Sequence, residues 1–146
     1  MTLREIASWR YSIFAVCDDS GRCQVEEFLL ECRRAYPKAV RDMNATLRDY
    51  APQHGPPFEV DERAKRLRDD ISELKAWQGI RRRKRIVRMG LRVLFFEDQS
   101  TIVCTTGFLK PSVTPEGELD QAVQLRSVYF GHKQAGELHL LRGWGV

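Results

Sequence analysis

Arg81, Arg82, Arg83, Lys84 and Arg85 form a run of five cations with no acid among them. Such a run can neutralise nucleic-acid phosphates without reading sequence, and its binding weakens steeply with salt. Cations this dense repel one another in a packed interior, so the run is expected in a solvated hairpin loop. Just past it, the alternation of a strand places Arg88, Gly90 and Arg92 on one face and turns Val93 and Phe95 toward a core. A planar guanidinium holds two phosphate oxygens at once, which makes Arg92 a candidate phosphate clamp; the plainer alternative is a solvent-facing strand arginine. Histidine is the side-chain type suited to acid and base work, which makes His54, His132 and His139 candidates for moving protons, but each also reads as a surface or loop residue. Cys17, Cys23, Cys32 and Cys104 lack CxxC spacing and histidines at zinc-finger distances, so they read as reduced thiols rather than metal ligands.

The basic character is local. Val60 to Arg92 holds twelve Lys and Arg against five Asp and Glu, a net +7, which leaves −3 for the rest of a chain whose total is +4. With 146 residues, 42% of them hydrophobic and 30% charged, the composition is too apolar for a disordered chain and too charged for a membrane span. The apolar run from Tyr11 to Cys17 is too short for a signal peptide or a membrane helix, which points to the cytoplasm and to no membrane partner.

Several elements must position these side chains. Trp9 to Cys17 reads as a first strand that stops at the turn formers Asp18 to Arg22. Val25, Phe28, Leu29 and Cys32 are spaced as one face of a helix that should end at Tyr36, before Pro37. Val40, Met43, Leu47 and Tyr50 continue as a second helix, packed on the first as a hairpin, and Ala51 to Pro57 reads as a loop. Asp61 to Asp70 reads as a short basic helix or turn. Ile71 to Trp77, Ile86 to Phe96 and Thr101 to Phe108 then form a three-stranded meander, with Glu97 to Ser100 as a hairpin connection. Thr114 and Pro115 start a last helix, running to Phe130 and capped by Gly131. The fold class is therefore α+β. A small, antiparallel-rich sheet packs against an N-terminal helical hairpin and a C-terminal helix, with residues 1–130 as the domain and 131–146 as a tail of unassigned role. Trp9 and Trp77 are expected in the core, and Trp144 on the body or on a second copy.

The wording of several segments resembles the RelE/HigB-type toxin superfamily, in particular its phage-derived branch. The matching segments are Val25-Glu-Glu-Phe-Leu29, Lys65-Arg-Leu67 ahead of Glu73-Leu-Lys75, Arg92-Val-Leu-Phe-Phe96, Gly107-Phe-Leu-Lys110 and Thr114-Pro115, within residues 9–130. Lys75 stands where the family usually has Arg, and Pro111 where it usually has a second Lys. The resemblance implies the toxin of a type II toxin–antitoxin pair that cuts messenger RNA on the ribosome. It also implies a neutralising antitoxin with a helix-turn-helix DNA-binding domain.

RNA can be cut without metal or other cofactor when its own 2′-hydroxyl attacks the adjacent phosphate, provided protons are moved and the added negative charge is stabilised. Under the resemblance, Arg92 and Lys110 hold the phosphate and Lys75 or Tyr129 handles protons, while Arg81, Arg82, Arg83, Lys84, Arg85 and Arg88 dock RNA. Tyr129 reads equally as a core residue next to Phe130. Two alternatives stand beside the nuclease: a non-enzymatic ParE-like inhibitor of DNA gyrase, and a catalytically silent RNA-binding module.

Overall fold

The computed structural model describes residues 1–56, 63–110 and 115–146. In chain order the elements are β1 (Thr2–Ser8), β2 (Ser12–Cys17), α1 (Gln24–Cys32), α2 (Pro37–Ala45), a wide π-type turn (Thr46–Tyr50), α3 (Ala51–His54), β3 (Ala64–Arg66), β4 (Ser72–Arg82), β5 (Arg85–Asp98), β6 (Thr101–Lys110), α4 (Glu116–Gln134) and β7 (His139–Leu141). The strands form one mixed sheet in the order β3-β4-β5-β6-β2-β1-β7. The fold is α+β. No helix among the described residues is long and apolar enough to cross a membrane.

The expected meander is present as β4, β5 and β6, antiparallel and consecutive, because their apolar residues alternate strongly enough to bury both sheet faces. On one face Leu74, Ala76, Leu91, Val93 and Phe95 join Val25 and Leu29 of α1 and Val40 and Met43 of α2 in a core. On the other, Leu94, Phe96, Val103 and Phe108 pack under Leu119, Ala122 and Tyr129 of α4. β2 pairs in parallel with β6, so the chain reaches the meander through the helices, as parallel neighbours require.

The structure corrects several boundaries. Thr2–Ser8 is a strand that the sequence does not announce: Leu3 is buried in one core and Ile6 in the other, and a bulge between Glu5 and Ala7 breaks the alternation. Trp9 is consequently in the β1–β2 connection, 64% exposed, and not in the core. α1 stops at Cys32, short of Tyr36. The second helical run continues past Tyr50 to His54 instead of giving way to a loop at Ala51, widening into the π-type turn directly before Pro52, which has no N–H to give a regular turn. Ala64–Arg66 is a short edge strand on β4, not a helix or turn.

α4 also runs through Gly131, the expected cap, and ends at Gln134; the left-handed residue that follows is Gly136 (φ +70). Phe130 therefore lies inside the helix, and the tail beyond it is woven in. β7 pairs in parallel with β1, while the Trp144 indole donates to Asn44 Oδ1 at 2.9 Å and packs on the core. The expected helix start at Thr114, the Pro111 position and Phe58 lie outside the described residues.

Candidate functional site

The site is built on the β4–β5 hairpin. Register pairs Lys75 with Arg92, Trp77 with Gly90 and Gly79 with Arg88, and β6 brings Lys110 opposite Gly90. Since alternate residues share a face, Glu73, Lys75, Trp77, Arg88, Arg92 and Lys110 all stand on the α4 side of the sheet. Lys75, Arg92 and Lys110 share one sheet face, as expected.

Their environment differs from the expectation. Arg92 is only 2% exposed. Its Nε lies 3.5 Å from Oε1 of Glu73, a fully buried carboxylate, and Nη1 donates to the Leu91 carbonyl at 3.0 Å. Lys110 Nζ donates to the same Glu73 oxygen at 3.0 Å. The Arg92 guanidinium also lies 4.1 Å from the Trp77 ring centroid, and that of Arg88 lies 4.0 Å from it. Trp77 is thus shared by two arginines, two positions apart on either side of Gly90. The glycine permits this: a Cβ there would stand 2.7 Å from Arg92 Nη1 and 2.9 Å from the indole. Burial lowers the pKa of Arg92, with Glu73 opposing that and Arg88 adding to it.

Lys75 is half-buried. Its pKa is lowered from the usual lysine value, first by burial and then by repulsion from Arg92, with Lys65 and Lys110 adding and Glu73 opposing. A lysine held this way releases its proton more readily than one in water. Arg88, exposed and braced on Trp77, supplies the accessible guanidinium that Arg92 does not.

The cation run sits at the hairpin tip as expected, but strands extend further into it than the sequence suggests: β4 reaches Arg82, β5 starts at Arg85, and Arg83 takes a left-handed conformation (φ +56). Residues 81–88 are all exposed, and none of the five cations has a salt-bridge partner among the described residues. Ile86, 76% exposed, adds an apolar contact to this basic arm.

Tyr129 is not brought to the cluster. Its hydroxyl donates to Asp98 Oδ2 at 2.8 Å, beside Lys133 at 2.6 Å, and its ring packs edge-on against Phe96. Asp98 is six residues along β5 from Arg92, about 20 Å at roughly 3.3 Å per residue. Burial and the Asp98 contact raise the phenol's pKa. Of the histidines, His54 stacks near Tyr50 (4.6 Å), His132 accompanies the N-terminal amine at 3.0 Å, and His139 lies in β7.

Glu73 and Trp77 were missed as site residues by sequence reasoning. Their signal was available: Glu73, Lys75 and Trp77 alternate on one strand face, and Glu73 is the sole acid between Asp70 and Glu97. Compared with family models, curated proteins and solved structures, the chain matches none.

Proposed function

We propose that the protein is an RNA-cleaving toxin of the RelE/HigB type, acting on messenger RNA at the ribosome and restrained by an antitoxin partner. One observation carries the reading: three strands of one meander each place a cation, Lys75, Arg92 and Lys110, on a single sheet face that continues into an exposed basic arm. Within the longer element order, β2, α1, α2, the β4–β6 meander and α4 keep the expected succession of strand, two helices, three antiparallel strands and helix, which also supports it.

Burial changes the roles. Arg88 and the arm hold the RNA backbone. Arg92 and Lys110, bound to Glu73, form a positive layer behind the surface that adds to burial, the larger cause, in destabilising the charged form of Lys75. Neutral Lys75 takes the proton of a 2′-hydroxyl; the oxygen attacks phosphorus, the bond to the 5′-oxygen breaks, and that oxygen takes a proton from solvent. Deprotonation of Lys75 makes the base, so the cleavage rate rises with pH through a lysine pKa below the usual value of roughly 10.4.

The test is a translating extract in which transcript ends are mapped by primer extension. Wild-type protein yields new ends within codons, and Lys75→Met reduces their rate by about 10²-fold or more, the lower bound for general acid–base catalysis. The burial of Arg92 favours a second reading, a catalytically silent RNA-binding module on the same arm. Intact transcripts with salt-sensitive RNA binding would select it, and intact transcripts with inhibited supercoiling would select the gyrase inhibitor instead.

A further inference from the structure

A cleft of about 650 Å³ opens where α2, the π-type turn and α3 face β4, lined among others by Asp49, Tyr50, His54, Arg63, Trp77 and Arg88. It is large enough for a small organic ligand. β3 covers β4 only as far as Leu74, with one further bond from Lys75 N–H to the Arg63 carbonyl, so the cleft wraps over the edge of β4 beyond that point.

Two features of its lining point to a nucleotide. Guanidinium planes lie on aromatic rings at two places, Arg63 over Tyr50 at 4.3 Å and Arg88 over Trp77 at 4.0 Å. These flat, cationic surfaces stack with splayed-out bases and accept the adjoining phosphates. Beside them Asp49 is exposed and has neither a salt bridge nor a side-chain hydrogen bond among the described residues, whereas Asp42 in the same cleft is taken by Lys38 at 2.8 Å. A carboxylate repels phosphate but accepts hydrogen bonds from a base edge. Guanine alone of the four RNA bases offers two adjacent donors on its Watson–Crick edge, N1–H and N2–H, which match the two oxygens of a carboxylate.

We infer that this cleft takes an unpaired guanine nucleotide of single-stranded RNA, with Asp49 reading the base, the Tyr50–Arg63 pair stacking on it, and Arg88 holding its phosphates. The inference rests on the RNA reading above but not on cleavage. It adds base selectivity to a surface that would otherwise bind any strand.

The experiment uses full-length protein and 2′-O-methyl hexanucleotides, which lack the attacking hydroxyl, followed by fluorescence anisotropy. A uridine oligomer carrying one guanine should bind about tenfold tighter or more than the same oligomer carrying adenine or inosine, which lacks the N2 amino group. Asp49→Asn should erase that preference without lowering affinity for the all-uridine oligomer, since it removes a charge that repels phosphate, with an unaltered thermal melt as the folding control. Free guanosine 5′-monophosphate should compete only at a concentration at least 100-fold higher than the oligomer. Equal binding of guanine and inosine oligomers, survival of the preference in Asp49→Asn, or equal competition by the mononucleotide would overturn the inference and leave RNA binding intact. Failure of every oligomer to bind would overturn the RNA reading with it.

Discussion

The two ends of the β4–β5 hairpin carry the same residue types in opposite circumstances. At the inner end Arg92 and Lys110 converge on buried Glu73, and Arg92 lies against Trp77. At the tip Arg81 to Arg85 stand in water without salt-bridge partners among the described residues. Removing a cation from water costs several kcal/mol unless a carboxylate and well-placed dipoles replace its hydration, so buried arginines become parts of the fold. Exposed ones keep their hydration until a polyanion displaces it and stay available for binding. The same side-chain types on neighbouring strands thus divide into a structural set and a docking set, with Lys75 and Arg88 at the boundary.

The sharpest way to break this contrast is Glu73→Gln, which leaves buried Arg92 and half-buried Lys110 without their counter-charge. Urea unfolding should show a loss of about 3–5 kcal/mol. A loss below about 1 kcal/mol, within the range of an exposed pair, would mean that water reaches the inner end and that the two ends do not differ in kind.

An intermediate case sharpens it. Asp98 is nearly buried; burial pushes its carboxyl pKa up, but hydrogen bonds from Lys133 and Tyr129 overcome this and leave it lowered. A carboxyl depressed in the folded state stabilises fully above its unfolded pKa of about 3.9, and that contribution disappears as pH falls through the folded value. Tyr129→Phe removes one of the two hydrogen bonds. It should cost about 1 kcal/mol at neutral pH and move the acid-unfolding midpoint upward, both read by circular dichroism. An unchanged midpoint would show that Lys133 alone sets the carboxyl.

The smallest stability effect belongs to the tip. Replacing three of its cations together, Arg81→Ser, Arg82→Ser and Arg85→Ser, should leave stability within about 0.5 kcal/mol of wild type. In filter binding to single-stranded RNA, the slope of log affinity against log salt should become shallower by about 2, at roughly 0.7 per lost phosphate contact. A large loss of stability with an unchanged slope would invert the assignment of the two ends.

Much of the frame was legible in the residues. β4, β5 and β6 announce themselves because each alternates or runs apolar over a length suited to a strand, and the stripe of Val40 and Met43 in α2 and Leu47 in the π-type turn is buried as its spacing implies. β1 was not legible because it offers one apolar residue to each core, and the extension to His54 was not because Pro52 ordinarily breaks a helix. In the site, strand alternation correctly grouped Arg88 with Arg92. It could not tell which of them faces water, and the family resemblance grouped Tyr129 with residues that it does not meet.

What the chain's order of residues determined by itself was local: strand periods, helical stripes, and a concentration of positive charge too dense to fold inward. What the tertiary structure decided was the fate of each charge, since that depends on neighbours far away in sequence. Glu73 meets Lys110 across 37 residues. Trp77 reaches Arg92 because Gly90 leaves room, and Asp49 comes to share a cleft with Arg88 only after helices and sheet have packed. Pattern within a segment sets its geometry, whereas solvation and pairing are properties of the assembled surroundings.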